Sequence, residues 1–403
     1  MIPVEEARRR MLAAFRPLPA ETVSLPEALG RVLAADVPAR LTQPWAAVSA
    51  MDGFAVRAAD VAAVPATLTR VGEVPAGGSF DRPVGPGECV RIFTGAPLPA
   101  GADAIVIQED AEADGARVTV RAPVAAGRYV RPAGLDFREG DVLLRAGRVL
   151  TARDVGLAAA MNVPWLAVRR RPRVAILATG DEIVLPGEPI GPSQIVSSNG
   201  PALAALVTAC GGVPIQLGIA RDDRQSLAAM AAGGRDTDLL ITTGGASVGE
   251  HDLIRDVLGA EGLELDFWKI AMRPGKPLMF GRIGGTPLLG LPGNPVSSMV
   301  CAILFARPIL RALSGVPDED EGTFALSGRD LAANDRRQDY LRATLVRNAD
   351  GMAVATPFDV QDSSMMSLLA KADCLVVRPP EAPAAKAGER VPIVPFAAGI
   401  QHL

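Results

Sequence analysis

TTGGASVGEHD (242–252), RPGKP (273–277) and LPGNPVS (291–297) decide how this chain folds, because each of these glycine- or proline-bearing loops directly follows a short apolar run. Runs such as DLLITT (238–243) and PLLGL (287–291) read as strands buried on both faces of a sheet. Loops leaving the ends of such strands are where open α/β sheets bind ligands. Upstream, VAILA (174–178) is a strand running into TGDE (179–182). Asn199 is placed to cap a helix reaching Cys210, which Gly211 and Gly212 end, and residues 213–219 form the next strand. A helix to about residue 232, a strand at 239–243, a helix at 252–258, strands near 267–272, 278–283 and 288–291, and a long helix from 296 to about 313 continue the alternation. The pattern predicts an α/β multidomain chain whose central domain, residues 173–316, is a doubly wound parallel sheet.

Away from that domain the texture changes. Residues 1–40 read as helical, with an amphipathic stretch at 4–15 and a turn-rich segment at 25–33. From residue 44 to about 150, short β-favouring runs (71–74, 89–93, 104–107, 117–120) alternate with Gly/Pro turns. After Ser314 helical periodicity fades, and segments 340–346 and 374–377 alternate as strands do. The expected organisation is an elongated N-terminal domain (1–43 and 147–172), an inserted β-rich domain (44–146), the α/β domain, and a C-terminal β domain (317–403).

Length and composition set outer limits. A chain of 403 residues has room for about two to four domains. Cys89, Cys210, Cys301 and Cys374 are too scattered for a disulfide framework or a CxxC metal knuckle, which fits a reducing cytoplasm. The start MIPVEEARRRMLAAF mixes Glu and Arg at helical spacing, unlike a signal peptide. Ser297, Ser298, Arg307 and Pro308 interrupt the best apolar stretch, 296–310, so no membrane span is expected. A net charge of -4 argues against a general nucleic-acid binder. His251 and His402 are the only histidines, which rules out histidine triads and multi-histidine zinc sites.

The loops carry the chemistry. Glycines in TTGGASVGEHD let backbone N–H groups approach an oxyanion, Ser247 adds a hydroxyl, and the following helix presents its positive end. The loop is neither a Walker P-loop nor a Rossmann fingerprint, and by itself it also reads as a turn. In RPGKP, Arg273 and Lys276 lie three residues apart on a proline-stiffened loop, suited to a tetrahedral dianion or to a solvated turn. PGNP (292–295) ahead of Ser297 is a helix start first and a ligand site second. Carboxylates gather near the strand ends: Asp181 and Glu182, Asp222 and Asp223, Glu250 and Asp252. Each can be a helix cap; together beside anion loops they suit Mg²⁺, which commonly uses one or two carboxylates plus substrate phosphate.

Taken together, these loops resemble those of the molybdopterin molybdenumtransferase family, MoeA, which is related to the E domains of gephyrin-type proteins. The resemblance also takes in SAMDGFA (49–55), RIFTGAPLPAGAD (91–103), TGDE (179–182) and GLD (134–136), so it spans most of the chain. It implies a homodimer of four-domain subunits, and a reaction in which adenylylated molybdopterin and molybdate are the substrates. Mg²⁺ assists, AMP leaves, and molybdenum remains on the pterin dithiolene; water or a molybdate oxygen is the nucleophile.

By the same resemblance, Asp222 and Asp252 hold metal and promote phosphate cleavage, and Glu182 is another carboxylate of the site. Gly244, Gly245, Ser247 and Gly249 cradle phosphate. Arg273, Lys276 and Ser297, with Arg342 and Ser364 of the last domain, contact molybdate, and Pro292, Asn294 and Pro295 line the same turn. Asp52, Thr94 and Asp136 reach the facing subunit's crevice. The chain departs from the family in Ala246, where larger apolar residues are usual, and in Arg273, where lysine is common. It carries no second α/β domain of the kind that adenylylates molybdopterin, so a separate protein supplies the substrate. Two other readings compete: the adenylyltransferase itself, against which the residues before 173 argue, and a non-enzymatic gephyrin-like scaffold.

Overall fold

The computed structural model describes residues 1–244, 259, 262–316 and 322–396, and the chain divides into two compact units. One comprises Met1–Ala35, Ala146–Ala152 and Ala167–Leu403; the other comprises Asp36–Arg145 and Arg153–Leu166.

The first unit is built on a six-stranded sheet in the order Val213–Ala220, Arg173–Thr179, Leu239–Thr243, Thr286–Leu291, Met279–Ile283, Leu263–Trp268. The first four strands are parallel, as the alternation of strand and helix requires. Met279–Ile283 alone is reversed, pairing antiparallel with the strand on either side, so the expected parallel sheet is mixed at this end. The reason is local: Gly284 (φ 53°) and Gly285 (φ 90°) make a two-residue turn, and so short a link returns the chain only as a hairpin.

Both faces of this sheet are covered. Leu203 and Val207 of helix Asn199–Ala209, Val300, Phe305 and Ile309 of helix Pro295–Leu313, and Val4, Ala7 and Met11 of helix Val4–Ala13 form the core on one side. Leu227 and Ala231 of helix Arg224–Ala232 lie on the other, against Ala175, Leu177, Leu240 and Leu288. Each fully buried Val, Leu, Ile, Phe or Met side chain among them contributes about 1.5–3 kcal/mol. Helix Pro295–Leu313 has the length and apolar character of a membrane span, but most of its surface is buried in this core.

Helix in the first 40 residues is confined to Val4–Ala13 and one 3₁₀ turn, Leu25–Glu27; Ala20–Ser24 is a strand. β-branched Thr22 and Val23 favour the extended form, and Pro26 cannot sit inside a helix. The Ser24 hydroxyl donates to the Glu27 carboxylate at 2.8 Å, closing the turn instead of starting a longer helix.

A second sheet completes this unit: Met272–Arg273, Gln338–Arg347, Ala353–Pro357, Thr323–Ser327, Arg390–Pro395, Cys374–Arg378. Pairing of Gln338–Arg347 with Cys374–Arg378 curls it into a barrel. Its first strand belongs to the RPGKP segment, with Met272 opposite Gln338 and Arg273 opposite Asp339.

The other unit holds a six-stranded sheet in the order Ala104–Ile107, Gly53–Val56, Glu88–Ile92, Ala66–Val74, Arg117–Val120, Ala111–Asp114. Gly53 has no alternative here, because a Cβ would lie 2.0 Å from the Val106 carbonyl oxygen. All four cysteines are free thiols; Cys89, Cys301 and Cys374 are buried and Cys210 is half-buried.

Candidate functional site

In the first unit the predicted loops gather at the carboxyl ends of adjacent parallel strands. Strand Arg173–Thr179 ends in Gly180, and strand Val213–Ala220 ends in Arg221 and Asp222. The two ends are tied reciprocally: the Asp181 N–H donates to Asp222 Oδ2 (3.4 Å) and the Asp222 N–H to Asp181 Oδ1 (3.3 Å). The neighbouring Asp223 caps helix Arg224–Ala232, accepting from the Ser226 N–H at 2.7 Å. The cap and the crevice carboxylate are therefore different residues. Glu182 lies over Gly180, where a Cβ would come within 2.5 Å of Glu182 Oε2. Beside them a cavity of about 360 Å³ is lined by Asp181, Glu188, Gln194, Ile219 and Arg221 among others.

Strand Leu239–Thr243 delivers Gly244, whose φ of 100° is closed to most side chains. A Cβ there would sit 2.1 Å from the Thr179 carbonyl oxygen, and Gly293 of the PGNP turn approaches from the other side. Asn199 locks the arrangement, its Nδ2 donating to Thr243 Oγ1 and to the Gly293 carbonyl, each at 2.8 Å. Thr243 Oγ1 in turn donates to the Pro292 carbonyl at 3.2 Å. Asn199 was expected to cap its helix; the N-cap is Ser198, and the Asn199 amide reaches across to the loops. Gly245, Ser247, Gly249 and Asp252 lie outside the described residues.

Helix Pro295–Leu313 begins with Pro295 in its first turn and Ser297 buried in that turn. Asn294 donates through Nδ2 to Ser363 Oγ (3.0 Å), and the Val296 N–H donates to the Ser363 carbonyl (3.1 Å). The barrel loop carrying Ser363 and Ser364 thus seats on the PGNP turn. Arg342 supports this loop from within. Although a cation, it is only 1% exposed. It donates from Nε to Gln361 Oε1 (3.2 Å) and from a terminal nitrogen to the Asp362 carbonyl (2.7 Å). Burial weakens its hold on the proton. Ser364 is committed to the Asp362 carboxylate through its N–H (2.8 Å) and hydroxyl (2.5 Å), and these two bonds hold that carboxyl below its ordinary range.

The cations of the RPGKP segment differ sharply. Arg273 is tied to Asp339, to which Nε donates at 3.0 Å, and pairs with Asp335 at 3.5 Å. Lys276 is exposed and has no ion pair or side-chain hydrogen bond among the described residues. Its backbone carbonyl accepts from the Ile270 and Leu278 N–H groups, each at 3.1 Å, which fixes its place beside Lys269. Lys269, which loop reasoning left out, has φ 73° and its ammonium 3.9 Å above the Trp268 ring.

The other unit brings Asp52 and Thr94 together: Asp52 Oδ1 accepts from the Thr94 N–H (2.7 Å) and hydroxyl (2.8 Å). The backbone bond first, then the hydroxyl, and then the charge of Arg91 hold the Asp52 carboxyl below the usual range. Arg91 lies between the rings of Phe54 (5.2 Å) and Phe93 (4.9 Å). Asp136 is exposed on a separate turn, its N–H donating to the Gln43 carbonyl at 3.0 Å, and no hydrogen bond joins it to Asp52 or Thr94. Among the described residues no three His, Cys, Asp or Glu side chains form a metal cluster.

Comparison with known proteins agrees along the length of the chain. Residues 2–162 match the MoeA N-terminal region (domain I and II), residues 175–312 a probable molybdopterin binding domain, and residues 325–396 the MoeA C-terminal region (domain IV). Molybdopterin molybdenumtransferase 2 of Mycobacterium tuberculosis is 39% identical over 328 residues, covering 78% of this chain and 80% of the relative. The molybdopterin molybdenumtransferase of Haemophilus influenzae is 34% identical over 403 residues, covering 98% and 99%. A crystal structure described as a molybdopterin biosynthesis moea protein from Pyrococcus horikosii superposes with a TM-score of 0.86 at 31% identity, covering 99% of this chain and 100% of that one.

Proposed function

Because the chain belongs to the MoeA family of molybdopterin molybdenumtransferases, enzymes of molybdenum cofactor biosynthesis, we propose that it inserts molybdate into adenylylated molybdopterin with Mg²⁺-dependent release of AMP. The observation that carries this reading is the meeting of Gly244, the Gly293 turn and the Asp181–Asp222 pair at neighbouring strand ends, with Lys276 exposed on the RPGKP segment and without an ion pair among the described residues. Such a crevice suits two anions held side by side. Glycine backbone approaches the phosphate, and Lys276 offsets the charge of molybdate and of the departing AMP. Arg273 is restrained by Asp339 and Asp335, so Lys276 carries more of that charge than the loop sequence implied.

The residues fit Mg²⁺. Asp222 presents a hard carboxylate at a strand end, with Asp181 across from it and Asp252 following the glycine loop in sequence. Bound there, the ion would neutralise phosphate charge and polarise the phosphorus–oxygen bond. Arg342 and Ser364 act in this scheme by holding the barrel loop against the PGNP turn, where Ser297 starts the helix. We propose further that the enzyme works in the cytoplasm as a homodimer of four-domain subunits. Asp52, Thr94 and Asp136 then close the partner's crevice, and a separate adenylyltransferase supplies the substrate.

The test is AMP release from adenylylated molybdopterin by purified protein, which should require both molybdate and Mg²⁺. Asp252→Ala and Lys276→Ala should each lose at least about 10²-fold in turnover while staying folded, as removal of a group that stabilises transition-state charge does. Pyrophosphate release from ATP and molybdopterin without molybdate would instead identify an adenylyltransferase.

A further inference from the structure

Two buried polar atoms of the crevice have no hydrogen-bond partner among the described residues: the Thr179 hydroxyl and Asn199 Oδ1. Thr179 is only 2% exposed, and its hydroxyl lies 3.0 Å from where a Cβ on Gly244 would stand. Asn199 has its orientation settled by its neighbours. The Gly293 carbonyl can only accept, and Thr243 Oγ1 gives its proton to Pro292, so the Asn199 NH₂ must face both and Oδ1 must point away. An unsatisfied buried group of this kind costs a folded protein about 1–3 kcal/mol. The Thr179 hydroxyl lies at the first residue of a glycine loop, and Asn199 is bonded to Thr243, the residue just before it. They are the kind of local conflict that a binding site retains.

We propose that Thr179 and Asn199 form a hydrogen-bonding subsite beside Gly244 that receives an N–H or O–H donor from the organic part of the substrate, its pterin or its ribose, and excludes the oxyanion. This rests on the reading that the crevice binds a pterin nucleotide. Asn199 Oδ1 offers only lone pairs, so it repels molybdate and phosphate oxygens and attracts a donor. Lys276, exposed and without an ion pair among the described residues, is left for the oxyanion. Because both atoms are already dehydrated in the free protein, a ligand donor meeting them faces little competition from water.

Thr179→Val keeps the shape and removes the hydroxyl, and Thr179→Ser keeps the hydroxyl and removes the methyl. Calorimetry with molybdopterin and with adenylylated molybdopterin reads the subsite independently of turnover, while molybdate-dependent AMP release by the wild-type chain reads the transferase function. Thr179→Val should bind the pterin ligands about 3- to 10-fold more weakly, the usual worth of one neutral hydrogen bond. Its molybdate dependence should be unchanged, and its melting temperature equal to or above that of wild type. Thr179→Ser should bind within about twofold of wild type. The subsite is overturned by unchanged pterin affinity in Thr179→Val, by a fall in its melting temperature, by an equal loss in Thr179→Ser, or by a wild-type chain that binds neither pterin. If the wild type binds the pterins but releases no AMP, the transferase reading fails and the subsite stands.

Discussion

Gly244→Ala should damage the crevice by an amount that can be worked from its surroundings. The new Cβ has two costs. A residue with a side chain held at a φ of 100° is strained by about 1–3 kcal/mol. The Cβ would also lie 2.1 Å from the Thr179 carbonyl oxygen, about 1 Å inside any ordinary contact. Relief requires parting the paired, buried strands Arg173–Thr179 and Leu239–Thr243, and overpacking of that sort costs about 1–3 kcal/mol more. The sum, about 2–6 kcal/mol, corresponds to a fall in melting temperature of roughly 5–20 °C at about 2–4 °C per kcal/mol. Gly351→Ala is the matched control, since its φ of 79° imposes a similar strain while a Cβ there would touch nothing within 4 Å. Differential scanning calorimetry of the two variants isolates the overlap: Gly244→Ala should melt well below Gly351→Ala and should also lose AMP release. If the two melt together, the close approach of Gly244 to Thr179 does not position the loop, and the account of the crevice is wrong.

Thr94→Val removes the hydroxyl bond to Asp52 and leaves the backbone bond, so the Asp52 carboxyl should rise toward its ordinary range. In the wild type the stability from the ionised Asp52 is present above the unfolded pKa of about 3.9 and is lost as pH falls through the lower folded value. In the variant, both that loss and the acid limb of AMP release should move to higher pH; an unmoved limb would separate Asp52 from the reaction. For a site shared between subunits, inactive Asp52→Ala and inactive Asp252→Ala chains should recover activity when mixed as heterodimers, because one crevice then keeps both carboxylates. Mixed dimers with no recovered AMP release would refute the shared geometry.

The parts of this fold legible in sequence were those with short-range causes. Apolar runs ending in glycine loops located the parallel strands, because a strand covered on both faces needs no polar alternation. The antiparallel pairing of Met279–Ile283 with Thr286–Leu291 depends on the two-residue Gly284–Gly285 turn, which a reading of strands spaced by loops passed over. Side-chain destinations were harder still. Asn199 looked like a cap because Asn favours helix starts; its amide crosses to Thr243 and Gly293, two positions that sequence separation hides. Arg273 and Lys276 share one loop in sequence, and only the barrel strand reveals Asp339 beside Arg273. Arg342 was a molybdate contact by resemblance alone, and its burial under the Gln361–Asp362 loop follows from the register of a sheet rather than from its own neighbours in sequence.

The four free cysteines have a bearing on chemical compatibility. Burial pushes the Cys89 thiol up to about 12 and that of Cys374 to about 11, and it raises Cys301 and Cys210 as well. At neutral pH such sulfurs stay protonated, and a protonated thiol is a poor nucleophile and a poor ligand for soft metals. A protein that handles a ligand with two reactive sulfurs of its own gains from this reticence. Raised thiol pKa values of this kind disfavour both a mixed disulfide with such a ligand and competition with its sulfurs for a soft metal.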